Sequence, residues 1–123
     1  MKSQLDVLIV EDERIISMMM GMMVEKLGHR VCAKVPSVDA ALEFLEKVHP
    51  DLAFLDIHLE GDSDGITLGK MLGSQFGVPF AFATAYADPE TYKRAMDTFP
   101  VDFLQKPLAI EAIKRVCDTV LSI

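Results

Sequence analysis

The sequence predicts an α/β fold, a five-stranded parallel sheet with helices on both faces. Five short apolar runs alternate with five longer stretches of helical period, and strands joined through crossover helices lie parallel. The runs Val7–Val10 and Leu52–Leu55 lack any polar alternation, as strands buried on both faces do. Half of the 123 residues are hydrophobic, enough for a full core in one domain.

Taken in order, Leu5 to Val10 is the first strand and ends on three acids, Glu11, Asp12 and Glu13. From Glu13 to Leu27 apolar residues recur at helical spacing, with acids at the positive end of the helix and Gly28 as its stop. Ile16, Met19, Met20, Met23 and Leu27 share the stripe expected to face the sheet, and Ile15, Met18 and Met22 lie on an adjacent one. Val31 to Val35 is a short strand. Pro36-Ser37 opens a helix whose Val38, Ala41, Leu42, Leu45 and Val48 form one face, closed by His49-Pro50. The strand over Leu52 to Leu55 stops on Asp56. Beyond a Gly- and Asp-rich loop, Gly65 to Phe76 reads as a weak helix, diluted by Gly69 and Gly73. Phe80 to Ala83 is the fourth strand and ends on Thr84. Asp88 caps a helix that Pro89 starts and that runs to about Phe99. Val101 to Leu104 is the fifth strand, followed by Gln105-Lys106-Pro107. Leu108 to Ser122 is the last helix, burying Ile110, Ile113, Val116, Cys117, Val120 and Leu121.

Charge and composition narrow the function. A net charge of −7 argues against a nucleic-acid surface, which needs clustered Lys and Arg. Cys32 and Cys117 lie far apart in apolar segments and read as small buried residues rather than a disulfide. No apolar stretch approaches the roughly 18 residues of a membrane helix, and no leader pattern opens the chain. The expectation is a cytoplasmic protein whose residues 1–123 form one domain without a membrane segment or an output domain.

The chemistry follows from what the strand ends deliver to the carboxyl edge of the sheet, where open α/β sheets bind ligands. Those residues are Glu11 and Asp12, Asp56, Thr84 and Lys106. Three acids in one cleft raise one another's pKa unless a cation neutralises them, and a hard divalent ion held by oxygens suits them, so the pocket is expected to take Mg²⁺. Lys106 is a point charge for phosphoryl oxygens and Thr84 a hydroxyl donor. Asp56 is then the nucleophile that forms an acyl phosphate.

The constellation Val10-Glu11-Asp12-Glu13, the apolar strand ending on Asp56, Ala83-Thr84-Ala85 and Lys106-Pro107 resembles the receiver domain of two-component response regulators, over Leu5 to Ser122. The resemblance implies a flavodoxin-like receiver fold with strand order 2-1-3-4-5. It implies that Asp56 is phosphorylated by a sensor histidine kinase or a histidine phosphotransfer protein, and that a further, unknown protein reads the result. Asp12, Asp56 and the backbone carbonyl of His58 would hold Mg²⁺, with Glu11 acting through water. Thr84 would shift toward the phosphoryl group and Phe103 turn inward as the switch. Such a domain is a phosphoacceptor that assists its own phosphorylation and dephosphorylation rather than an enzyme. Pro79-Phe80-Ala81-Phe82-Ala83-Thr84 also resembles the PFxFAT string of the single-domain receivers called FATGUY, whose Thr is usually followed by Gly and an aromatic; here Ala85-Tyr86 follow. Other departures are Glu11 in place of the commoner Asp, Glu60 where many receivers have proline, and Phe103 in place of a frequent Tyr.

Several competing readings start from the same residues. Glu11 and Asp12 also suit capping of the first helix, and Lys106-Pro107 a solvated turn. A calcium loop counted from Asp56 would need an acid or amide at His58 and a Glu at Thr67, and has neither. A haloacid-dehalogenase-type hydrolase would want a second Asp where His58 stands. A module that docks constitutively, without phosphorylation, fits the same fold. His58 and Tyr86 read equally as lining the approach of water to the phosphoryl group and as exposed loop residues. Ile15, Met18 and Met22 widen the apolar face of the first helix beside the pocket, and this extra width is expected to meet the helical bundle of the phosphodonor.

Overall fold

A computed structural model describes residues 2–59, 61 and 64–123 of the chain. Its strands are β1 (Asp6–Val10), β2 (Arg30–Val35), β3 (Leu52–Leu55), β4 (Phe80–Thr84) and β5 (Phe103–Gln105). Its helices are α1 (Arg14–Lys26), α2 (Val38–Leu45), α3 (Gly65–Met71), α4 (Pro89–Met96) and α5 (Ile110–Leu121). All strand pairs are parallel and the order across the sheet is β2-β1-β3-β4-β5. Glu60, whose place in the loop after β3 departs from the receiver pattern, lies outside the described residues.

The sheet separates two apolar layers. On one face α1 and α5 cover Val7, Ile9, Leu52, Phe54 and Ala81 with Met20, Val24, Ile113, Val116 and Val120. On the other, α2, α3 and α4 cover Leu8, Val10, Leu55 and Phe82 with Val38, Ala41, Leu45, Ile66, Leu68 and Ala95. β1, β3 and β4 therefore carry side chains into both layers, which is why their sequences show no polar alternation. The edge strand β2 is only partly buried, and its pairing with β1 slips by one residue past Val7, leaving Cys32 half-buried rather than fully so.

Register sets the site. Val10 lies opposite Leu55 in the β1–β3 ladder, so Glu11 and Asp56 leave the sheet side by side. The ladder continues past the strand ends, with Asp56 N donating to Val10 O at 3.0 Å and Lys106 N to Thr84 O at 2.8 Å.

Several boundaries differ from expectation, each for a local reason. α2 ends at Leu45, so Val48 lies beyond it and is exposed rather than on the core face. α4 stops at Met96, and Phe99 takes a left-handed φ of 59° and faces solvent. β5 begins at Phe103, although Val101 N already donates to Phe80 O at 2.7 Å and Asp102 O accepts the Phe82 N–H at 3.1 Å; the Phe103 N–H turns to the Asp102 carboxylate at 2.7 Å. The weak helix exists, as α3 followed by a π-helical turn over Leu72–Phe76 that ends on Gly77 in the left-handed region. Gly69 is a packing requirement rather than a dilution, since a Cβ there would approach Phe80 Cε2 to 2.9 Å and Phe82 Cζ to 3.0 Å. The most deeply buried residues of α1 are Ser17, Met20, Gly21 and Val24, with Ile16, Met23 and Leu27 partly buried against the same layer as expected, whereas Met19 turns out to solvent.

Candidate functional site

Asp56 follows a fully buried strand and keeps only 7% of its surface exposed. Glu11 is still more enclosed at 3%. Burying two carboxylates requires compensation, and Lys106 supplies it from the turn after β5. Its Nζ lies 2.9 Å from Asp56 Oδ2 and also donates to Glu11 Oε1, with all three side chains nearly closed off from solvent. The remaining oxygens are held by backbone: Glu11 Oε2 accepts the Glu13 N–H at 3.1 Å, and Asp56 Oδ1 that of His58 at 3.2 Å. Glu11 thus satisfies a free N–H at the start of α1 while reaching Lys106 with its other oxygen.

Burial works to discharge the Lys106 ammonium, but hydrogen bonds to Glu11 and Asp56 outweigh it and hold its pKa above the ordinary 10.5. On Glu11 burial prevails: together with the Asp56 charge it raises the carboxyl above 4.5, against the pull of Lys106 and the Glu13 N–H.

A carboxylate oxygen from each of Glu11, Asp12 and Asp56 lies within 4.8 Å of the others, with Asp12 half-buried at the rim. Three acids against one ammonium leave an excess of negative charge, and an all-oxygen donor set of this size fits a hard divalent cation. Thr84, at the end of β4, is 1% exposed, and its Oγ1 is a buried hydroxyl with no hydrogen-bond partner among the described residues. An orphaned hydroxyl normally costs stability, and at the end of a strand beside this cluster it fits a donor kept for an incoming anion.

The other residues singled out from sequence fall around this centre. His58 and Tyr86 are exposed beside it. Phe103 is half-buried and packs edge-on against Tyr92 of α4 with ring centroids 4.8 Å apart, and its ring lies 6.1 Å from that of Phe82. Ile15, Met18 and Met22 are exposed on α1.

Gly65 belongs to the site and carries no sequence signal beyond its place at a helix start. A Cβ at Gly65 would fall 1.9 Å from the carbonyl oxygen of Asp56, and its N–H donates to Ile57 O at 2.8 Å. Glycine therefore lets α3 begin directly against the backbone that carries Asp56.

The family profile described as response regulator receiver domain matches residues 7–118. The chain is 30% identical over 104 residues to the transcriptional regulatory protein PdtaR of Mycobacterium tuberculosis, covering 85% of this chain and 50% of that protein. It is 30% identical to the uncharacterized transcriptional regulatory protein YvcP of Bacillus subtilis, covering 94% of this chain and 48% of the other. It thus spans about half the length of these curated relatives. Among solved structures, the signal receiver domain of a modulated diguanylate cyclase from Desulfovibrio desulfuricans superposes with a TM-score of 0.91 at 30% identity, covering 98% of this chain and 95% of that one. The receiver domain of Erythrobacter litoralis PhyR superposes with a TM-score of 0.84 at 32% identity, covering 98% and 92%.

Proposed function

The chain belongs to the response regulator receiver family, and from that premise we propose that it accepts a phosphoryl group on Asp56 from a histidine kinase or histidine phosphotransfer protein, in a Mg²⁺-dependent reaction. The observation that carries this reading is the buried cluster in which Glu11, Asp12 and Asp56 bring their oxygens within 4.8 Å while Lys106 bridges two of them. An Asp56 oxygen attacks phosphorus, the bond from phosphorus to the donor histidine nitrogen breaks, and an acyl phosphate results. Lys106 changes partners, giving up part of its hold on the acids to bind a phosphoryl oxygen as a point charge. Thr84 donates its free hydroxyl to a second oxygen. Asp12, Asp56 and the His58 carbonyl would hold Mg²⁺, with Glu11 acting through water, and the ion would neutralise charge on the transferring group.

Ile15, Met18 and Met22, exposed by 71%, 51% and 63%, are the surface that receives the helical bundle of the donor. The move of Thr84 toward the phosphoryl group draws Phe103 inward and away from Tyr92, so the surface of α4, β5 and α5 changes for a downstream protein. The family match is to receivers as a whole; the FATGUY grouping rests on Pro79–Thr84 alone.

Intact mass after incubation with acetyl phosphate and Mg²⁺ tests the phosphoacceptor. The expected result is a gain of one phosphoryl group that disappears in Asp56→Ala and in chelator. A gain that survives Asp56→Ala would overturn the assignment of Asp56. No gain from acetyl phosphate or from a panel of histidine kinases would leave the constitutive docking module as the better reading.

A further inference from the structure

Five of the chain's eight methionines fall between positions 18 and 23. α2 and α5 use mainly Val, Leu, Ile and Ala for the same task of covering the sheet, at Val38, Ala41, Leu45, Ile113, Val116 and Val120. The fold separates them, with Met23 partly buried against the core between the two extremes. Met20 is 3% exposed, whereas Met18, Met19 and Met22 are 51%, 50% and 63% exposed on the outer face of the same helix. Met18 and Met22 are one turn apart. Met18 lines the cleft of about 570 Å³ that contains Glu11 and Asp12, and Met19 lines a groove of about 520 Å³ that reaches Lys106 and Pro107. Water-exposed thioethers thus stand on both approaches to the acid cluster, where an aliphatic side chain would supply the same apolar area without the sulfur.

We propose that Met18, Met19 and Met22 form an oxidation site at which hydroperoxides regulate phosphotransfer. The sulfur lone pair attacks one peroxide oxygen, an S–O bond forms and the O–O bond breaks. The other oxygen leaves as hydroxide, or as alkoxide from an organic hydroperoxide, and takes the proton that the sulfur-bound oxygen gives up, ending as water or an alcohol, so sulfur loses two electrons and the peroxide gains them. Each sulfoxide turns an apolar, flexible side chain into a polar one, and methionine sulfoxide reductases reverse the change. The apolar face becomes polar while the buried acids and Lys106 stay as they are. This inference rests on the reading that the outer face of α1 receives the phosphodonor.

The test treats the full chain with a titration of hydrogen peroxide, maps oxidation by peptide mass, and follows two phosphorylation reactions. One uses acetyl phosphate. The other uses a histidine-phosphorylated helical-bundle phosphotransfer domain chosen because it phosphorylates the untreated chain. The expected map is a gain of about 16 Da at each of Met18, Met19 and Met22 while Met20 stays unmodified in the folded protein. Transfer from the bundle is expected to slow about tenfold, a loss in keeping with spoiling the centre of an interface. Labelling by acetyl phosphate is expected to stay within about twofold, because that donor needs no docking face. Sulfoxide reductases of both stereospecificities are expected to restore transfer. A Met18→Leu, Met19→Leu, Met22→Leu variant, whatever its starting rate, is expected to change by less than about twofold on peroxide treatment.

Oxidation of Met20 as fast as the three exposed residues would overturn the site. Unchanged transfer from the bundle after oxidation, with slow transfer in Met18→Asp, Met22→Asp, would overturn the regulation and leave the docking face standing. Unchanged transfer in both would overturn the docking face as well.

Discussion

The acid cluster and the outer face of α1 are neighbours built on opposite principles. In the cluster the charged groups are tied to one another: Lys106 bridges Glu11 and Asp56, and two backbone N–H groups take the remaining oxygens of those acids. On the face, Ile15, Met18 and Met22 project from a helix that the sheet holds only by its other side. One region is fixed by partners it already has, and the other offers area to partners it has yet to meet. Substitutions should therefore cost stability in the cluster and interaction on the face.

The largest effect is expected at Gly65. The methyl of Gly65→Ala would meet the Asp56 carbonyl oxygen at 1.9 Å, and backbone cannot give way as a side-chain tip can. Overpacking of this kind costs about 3 kcal/mol or more. Urea unfolding should show that loss, and acetyl phosphate labelling of Asp56 should fall with it, because α3 must draw back from the strand end. Stability and labelling both at the level of the unsubstituted protein would mean that the two backbones are free to separate.

Lys106→Met comes next. It removes the cation while leaving two buried carboxylates, and breaking a buried pair from one side costs about 3 kcal/mol. Millimolar Mg²⁺ should return part of the loss in the variant and, measured by urea unfolding, more than it adds to the unsubstituted chain, where Lys106 already answers the acids. Equal stabilisation of both proteins would show that the ion and the lysine do not share the same charges.

The difference between the two regions also explains what was legible in the sequence. Apolar runs that stop on Glu11, Asp56 and Thr84 can be read directly, because parallel register carries strand ends to one edge wherever the strands begin. Lys106 is read the same way, from its place just after the fifth strand, whereas the strand order comes by resemblance to receivers, since no local pattern encodes which strands are neighbours. Gly65 was invisible as a site residue because its constraint is a close approach between segments that the sequence does not show meeting. The stripe of α1 holds at Ile16, Met20, Met23 and Leu27, which pack against the core, and fails at Met19, because Ser17 and Gly21 take two of the most buried places although neither is strongly hydrophobic. Gly21 lies under the Lys34 side chain, whose Cδ would sit 3.6 Å from a Cβ there. A stripe drawn by hydrophobicity therefore rotates toward the methionines.

Met20 and Met22 allow the sharpest comparison, because one helix carries both and each loses the same atoms on truncation. Met20→Ala removes a side chain that is 3% exposed and packed with Ile9 and Val24 in the α1–α5 layer, so a cost of about 2 to 3 kcal/mol in urea unfolding is expected. Met22→Ala removes one that is 63% exposed, where substitutions stay within about 0.5 kcal/mol. Phosphotransfer from a protein donor should reverse the ranking: Met22→Ala slows it at unchanged stability, and Met20→Ala leaves it close to normal while the chain stays folded. The reversal is what a docking face requires, since area that contributes nothing to the folded state has its value only in a complex. If Met22→Ala were silent in both measurements, the outer face of α1 would be merely a wide edge of the core, and the donor would have to approach by another side of the cluster.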